Sequence, residues 1–168
     1  MNLKIKSWYF LILILAIVLV TGFFILNKQE EIHYHAGFQV YVNNELQDFS
    51  DLAYMQIEPC GEDEHEQVTE EHEQIERAHL HEGVGDVVHV HRDDAVWGDL
   101  FTNIGFPIES ESRAFVNGNL VEGFLDRPIQ PYESVVILSG ENSEINEKLK
   151  NAVTREQIEE TEAKSESC

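Results

Sequence analysis

The chain has 168 residues, with 32 acidic against 11 basic side chains and a formal net charge of −21, room for one modest domain with appendages. That balance argues against nucleic acid or an anionic lipid surface as a partner and favours cations, basic proteins or uncharged ligands. The only two cysteines, Cys60 and Cys168, form neither a CxxC nor a metal-type cysteine spacing, which argues against dithiol redox chemistry.

Residues 8–26 are an uncharged apolar run of 19, close to the ~20 needed to cross a bilayer as a helix. Lys4 and Lys6 precede it and no small-x-small cleavage site follows, so the reading is an uncleaved signal anchor. The expected topology is a cytoplasmic N-terminus over 1–7, a transmembrane helix over 8–26, a linker over 27–31, and an extracytoplasmic domain from 32 onward in a single-pass cell-membrane protein.

In residues 32–42, Ile32, Tyr34, Ala36, Phe38, Val40 and Val42 alternate with His33, His35, Gly37, Gln39 and Tyr41, the pattern of a strand with one buried and one polar face. Asn43-Asn44 predicts a type I′ turn returning through Leu46 to Phe49. Residues 58–77 are dominated by carboxylates and repeat EHEQ seven residues apart, carrying His65 and His72. This reads as a solvated acidic insertion, with a collector of cations as the functional reading.

Residues 78–92, AHLHEGVGDVVHVHR, place His79 and His81 before a glycine-bearing turn and His89 and His91 after it. In a strand, residues i and i+2 share a face, so each pair presents both imidazoles to one side. A three-residue Gly83-Val84-Gly85 loop with Gly85 left-handed sets His79 opposite His89, and a slightly longer loop sets His81 opposite His89. In both registers Leu80, Val88 and Val90 face the other way, toward a core.

A helix capped by Asp93 or Asp94 follows, with Val96, Trp97, Leu100, Phe101 and Ile104 at helical spacing and Gly105 at its end. Asn117-Gly118 signals a hairpin joining 113–116 to 120–124, and residues 135–138 make a last strand. This order predicts an α+β fold: the N-terminal transmembrane helix, then a small β-grasp-like sheet with one packed helix, and an additional N-terminal hairpin. The domain ends at about 140 and the acidic tail 141–168 is partly helical or disordered.

Six of the eight histidines occur as His-x-His, at 33/35, 79/81 and 89/91. Neutral imidazoles suit Zn, Cu, Ni and Fe, and with few soft ligands nearby the candidate ion is Zn or Cu. The candidate ligands are His79, His81, His89, His91, His33 and His35, with accessory donors among Glu82, Asp86, His65, His72 and Cys60. Whether His33 and His35 join the central pairs is open at this stage.

The stretches HYHAGFQVYVNN, IEPCG, AHLHEGVGDVVHVH, WGDLFTNIGF and PYESVVILSG resemble a group of single-pass, histidine-rich, membrane-anchored bacterial proteins, some of which carry the name protein-disulfide isomerase. The resemblance covers roughly 31–140 and implies a real domain but no catalytic set, since the CxxC on which such an isomerase depends is missing. The leading expectation is a membrane-anchored extracytoplasmic protein that binds a transition metal. Its partners would be the bilayer, the ion and another envelope protein, not nucleic acid. The alternative is a non-catalytic interaction module with a pH-sensitive acidic and histidine-rich surface; a metal-dependent or thiol-linked enzyme comes last.

Overall fold

The computed structural model describes residues 12–17, 32–56 and 70–164, and the chain divides into two compact units, 1–31 and 32–168. In the first unit residues 12–17 are helical. Among the described residues no helix is long and apolar enough to cross a membrane; the rest of the 8–26 run lies outside them. This corrects the expected transmembrane anchor. With it go the bilayer as partner, the single-pass topology, and the cytoplasmic and extracytoplasmic sides assigned to the two ends.

The second unit is an α+β fold on a mixed six-stranded sheet. Strand β1 (Tyr34–Val42) turns at Asn43-Asn44 into the short β2 (Glu45–Leu46). Both turn residues have positive φ, 51° and 74°, as a type I′ turn requires. Helix α1 (Glu70–Arg77) precedes β3 (Val87–Val90), then α2 (Trp97–Asn103), β4 (Arg113–Val116), β5 (Asn119–Val121) and β6 (Ser134–Ser139). Helices α3 (Ile145–Lys150) and α4 (Arg155–Glu162) close the described chain. The sheet runs β2-β1-β6-β4-β5, and β3 also pairs β1.

The position of β1 organises everything else. It pairs antiparallel with β3 and parallel with β6, so it lies inside the sheet instead of extending it as an extra hairpin. Its two side-chain rows therefore serve two packed faces. Ala36, Phe38 and Val40 enter the main core with Leu80, Val88, Val90, Trp97, Leu100 and Phe101, and the Phe38 ring packs against those of Phe49, Trp97 and Phe101. On the opposite row Tyr41 joins Val136 and Leu138 beneath Ile145 and Leu149, while Val87, Val153 and Ile158 make a third cluster.

Helices thus cover both faces, where the sequence suggested one packed helix and a single short tail helix. The apolar content that holds α3 and α4 is sparse, but it is correctly spaced. Asn43 and Asn44 help to fasten this cover: the Glu141 N–H donates to Asn43 Oδ1 at 3.0 Å, and the Ser143 N–H and Lys148 Nζ each donate to Asn44 Oδ1 at 2.7 Å.

Two further local expectations are corrected. Helix α2 is not capped by Asp93 or Asp94: its N-cap is Val96, whose N–H donates to the Asp99 carboxylate at 2.8 Å. Asp94 instead receives Arg77 at 3.0 Å, and Asp99 receives the same guanidinium at 2.8 Å, tying α1 to α2. In the turn between the central histidine pairs the left-handed residues are Glu82 (φ 59°) and Gly83 (φ 73°), not Gly85. Gly85 lies against the Phe49–Ser50 backbone, where a Cβ has no room.

Gly37 shows how closely the tail is docked. A Cβ there would stand 2.6 Å from Val153 Cβ and 3.3 Å from Ile158 Cδ1, in a backbone conformation open to alanine. Gly37→Ala should therefore destabilise the domain by about 1–3 kcal/mol through overpacking. It should also speed proteolysis within α3 and α4 before the sheet is cut; an unchanged unfolding midpoint and digestion pattern would refute the close packing.

Candidate metal centre

Register decides which histidines meet. In the β1–β3 ladder His35 stands opposite His89, and on the other side of β3 His79 stands opposite His89 in an antiparallel bridge. The bridge is a hydrogen-bonded pair: the His79 N–H donates to the His89 carbonyl at 3.0 Å and the His89 N–H to that of His79 at 2.9 Å. Of the two registers open in the sequence, the chain adopts the one with His79 against His89. Three His-x-His units consequently lie side by side, with His89 in the middle.

Their side chains form two groups in which the ligand nitrogens all lie within 4.8 Å of one another: His33, His35 and His89, and His79, His81 and His89. His91 belongs to neither group but stacks beside both, its ring 5.3 Å from that of His33, 4.5 Å from His89 and 5.7 Å from His79. These histidine clusters are capable of coordinating a metal ion. The turn carboxylates Glu82 and Asp86 are exposed and fall in neither group. His72 is carried in the first turn of α1, and Cys60, His65 and Cys168 lie outside the described residues.

The alternation that predicted a polar face is obeyed, but that face is not open to water. His35, His79 and His89 are 1%, 2% and 1% exposed, packed against one another and the neighbouring imidazoles, with Glu162 of α4 near His35 and the Ile75 carbonyl at His79. His33 is exposed, and His81 and His91 are half-buried. Burial sets the protonation state. It lowers His35 and His79 from 6.5 to about 4, helped for His35 by the neighbouring His33, while the Ile75 carbonyl only partly opposes the shift at His79. His89 is lowered further by burial and then by His35, and His81 is lowered by burial against the pull of Glu82. These rings are neutral near pH 7, the state in which imidazole ligates metal.

A backbone carbonyl aims one of the rings, and a carboxylate lies near another. His79 Nδ1 lies 2.9 Å from the Ile75 carbonyl; a carbonyl only accepts, so Nδ1 carries the proton and Nε2 keeps its lone pair. His35 Nδ1 lies 4.0 Å from the Glu162 carboxylate, and the Tyr132 hydroxyl donates to the other oxygen of Glu162 at 2.7 Å. His81 Nε2 and His89 Nδ1 face each other in direct contact. Sequence reasoning missed Ile75 because a backbone acceptor has no residue signature. It missed Glu162 because one acid among the many of the tail carries no mark.

A domain with these buried neutral histidines should lose stability as pH falls. In the folded state His35 and His79 hold pKa values of about 4 against 6.5, so the unfolded chain binds more protons between those values. The stabilisation is full above pH 6.5 and is lost on the way down to about pH 4. Thermal unfolding of the metal-free chain should show the midpoint falling already between pH 6.5 and 5, above the range in which ordinary carboxylates titrate; a flat midpoint there would contradict the burial.

Compared with known proteins, the chain matches no family model, no curated protein and no solved structure, so the resemblance to single-pass histidine-rich membrane proteins finds no support and is corrected.

Proposed function

We propose that residues 32–164 form a non-catalytic binding domain whose histidine cluster holds a transition-metal ion, Zn or Cu. The observation that carries this reading is the convergence of five imidazoles in two overlapping groups of three, on a face where three of them are buried and neutral. A tetrahedral zinc site uses nitrogen donors at about 2.0–2.1 Å, and a small inward movement of rings already this close reaches that distance. Histidine-only donors with no methionine or thiolate among them suit Zn²⁺ and Cu²⁺ better than Cu⁺.

Buried polar groups of the domain are not uniformly satisfied, and Gln39 Oε1, Ser112 Oγ and Ser134 Oγ have no hydrogen-bond partner among the described residues. Glu133, 4% exposed, accepts from Trp97 Nε1 at 2.9 Å, the Gln130 N–H at 3.0 Å and Arg127 at 3.2 Å. His89 Nε2, equally buried, has no hydrogen-bond partner among the described residues. A buried polar atom left so costs about 1–3 kcal/mol, and a bound ion removes that cost.

The net charge of −21 favours a second reading on the same scaffold, an acidic surface presented to a basic protein partner. The two are compatible, because protonation of the cluster below neutral pH releases an ion and adds positive charge together, making either kind of binding pH-sensitive.

Titration of the 168-residue chain, purified without a histidine tag, with Zn²⁺ and Cu²⁺ at pH 7 separates them. The expected result is stoichiometric uptake with sub-micromolar Kd, and a rise in the unfolding midpoint that grows with metal concentration. His89→Ala, which removes the residue common to both groups, should weaken uptake at least 100-fold. Weak uptake equal in both proteins would remove the metal reading and leave the acidic surface as the working face.

A further inference from the structure

Resting on that metal reading, we propose that the cluster is a two-ion centre, with one ion held by His79 and His81, a second by His33 and His35, and His89 shared between them. The observation is the juxtaposition itself. The two groups of three have only His89 in common, and His89 sits on the middle strand with His35 opposite it on one side and His79 on the other. No third strand pairing is needed to build either half.

The ring of His89 is turned to suit this role. Its Nδ1 faces His81 Nε2, which commits one nitrogen to the His79–His81 side. Its Nε2 leaves the ring on the other side and is buried without a hydrogen-bond partner among the described residues. Around it lie the rings of His35, 4.5 Å away centroid to centroid and tilted by 58°, and of the stacked His33 and His91, 4.3 Å and 4.5 Å away; of these His33 and His35 form the second group of three with it. A single ion would use at most one nitrogen of His89, whereas two ions use both.

The chemistry balances simply. A neutral imidazole carries one N–H, so a ring bound through both nitrogens has given that proton to solvent and bridges as imidazolate. Two M²⁺ ions therefore enter as one proton leaves from His89, with no change of oxidation state. The halves are also unequal in access: His33 is exposed, whereas His79 is buried and fixed by the Ile75 carbonyl. The His79–His81 half is preorganised and fills first; the His33–His35 half fills second and carries the proton release.

The test is stoichiometry on the 168-residue chain with Cu²⁺, read by bound metal per chain, by electron paramagnetic resonance and by proton release at fixed pH. The expected result is two ions per chain, a copper signal that grows over the first equivalent and shrinks over the second as the ions couple through the shared ring, and one proton released with the second. His33→Ala/His35→Ala should bind one ion with an uncoupled signal, its fold checked by circular dichroism. Two ions without coupling would overturn the shared histidine, and one ion per wild-type chain would overturn the two-ion centre while leaving the metal reading intact. No ion above the background of His89→Ala would overturn both. The wild-type readouts decide the matter even if the double variant does not fold.

Discussion

The parallel pairing of β1 with β6 is the constraint on which the rest of the domain depends. It places β1 inside the sheet, bonded along both edges, from Gly37 opposite Ser134 to Val42 opposite Ser139. An internal strand has two faces to bury, and β1 buries both. The row of Ala36, Phe38 and Val40 belongs to the apolar core. The row of His35, Gly37, Gln39 and Tyr41 then has to be covered by something that tolerates imidazoles, a missing side chain and a phenol. Helices α3 and α4 do this with few apolar anchors: Val153 and Ile158 sit over Gly37, and Glu162 reaches toward His35.

That arrangement brings imidazoles into a low-dielectric setting that fold stability alone would not select. Apolar residues at 35, 79 and 89 would satisfy the same packing without desolvating ring nitrogens. The protein instead fixes His79 Nδ1 with a backbone carbonyl, so that Nε2 keeps its lone pair, and places the Glu162 carboxylate 4.0 Å from His35. In metal sites such outer partners orient the ligand and hold its tautomer. The burial that lowers the pKa values would serve ligation in the proposed site as well, because it keeps competing protons away at neutral pH.

Much of this was readable in the chain. The i, i+2 spacing of the histidines placed each pair on one face and sent Leu80, Val88 and Val90 to the core, and Asn43-Asn44 and Asn117-Gly118 announced their turns with φ values only such residues accept readily. The helix around Trp97 followed from its apolar spacing, although its cap came from the side chain of Asp99 reaching back, not from the acids before it. What local pattern could not supply was the pairing of strands distant in sequence: β1 with β3, which decides that His35 joins His89, and β1 with β6. The role of the tail was equally hidden: a segment rich in Glu reads as solvated unless one knows that a glycine on the sheet has left room for Val153 and Ile158. The apolar run near the N-terminus carried the strongest compositional signal and led furthest astray, because hydropathy by itself records what a segment could do in lipid.

The same long-range pairing has a consequence in time. His33 and His35 leave the ribosome roughly a hundred residues before β6 does, an interval of about 5–20 s at ordinary rates of chain elongation. During that interval β1 can pair with β2 and β3 but not with β6, and no C-terminal helix exists to pack over Gly37 and reach toward His35. The row of β1 that carries His35 is thus most accessible while the protein is still being made, and α4 reaches it last. The last step of folding therefore buries His35 while His33 stays at the surface.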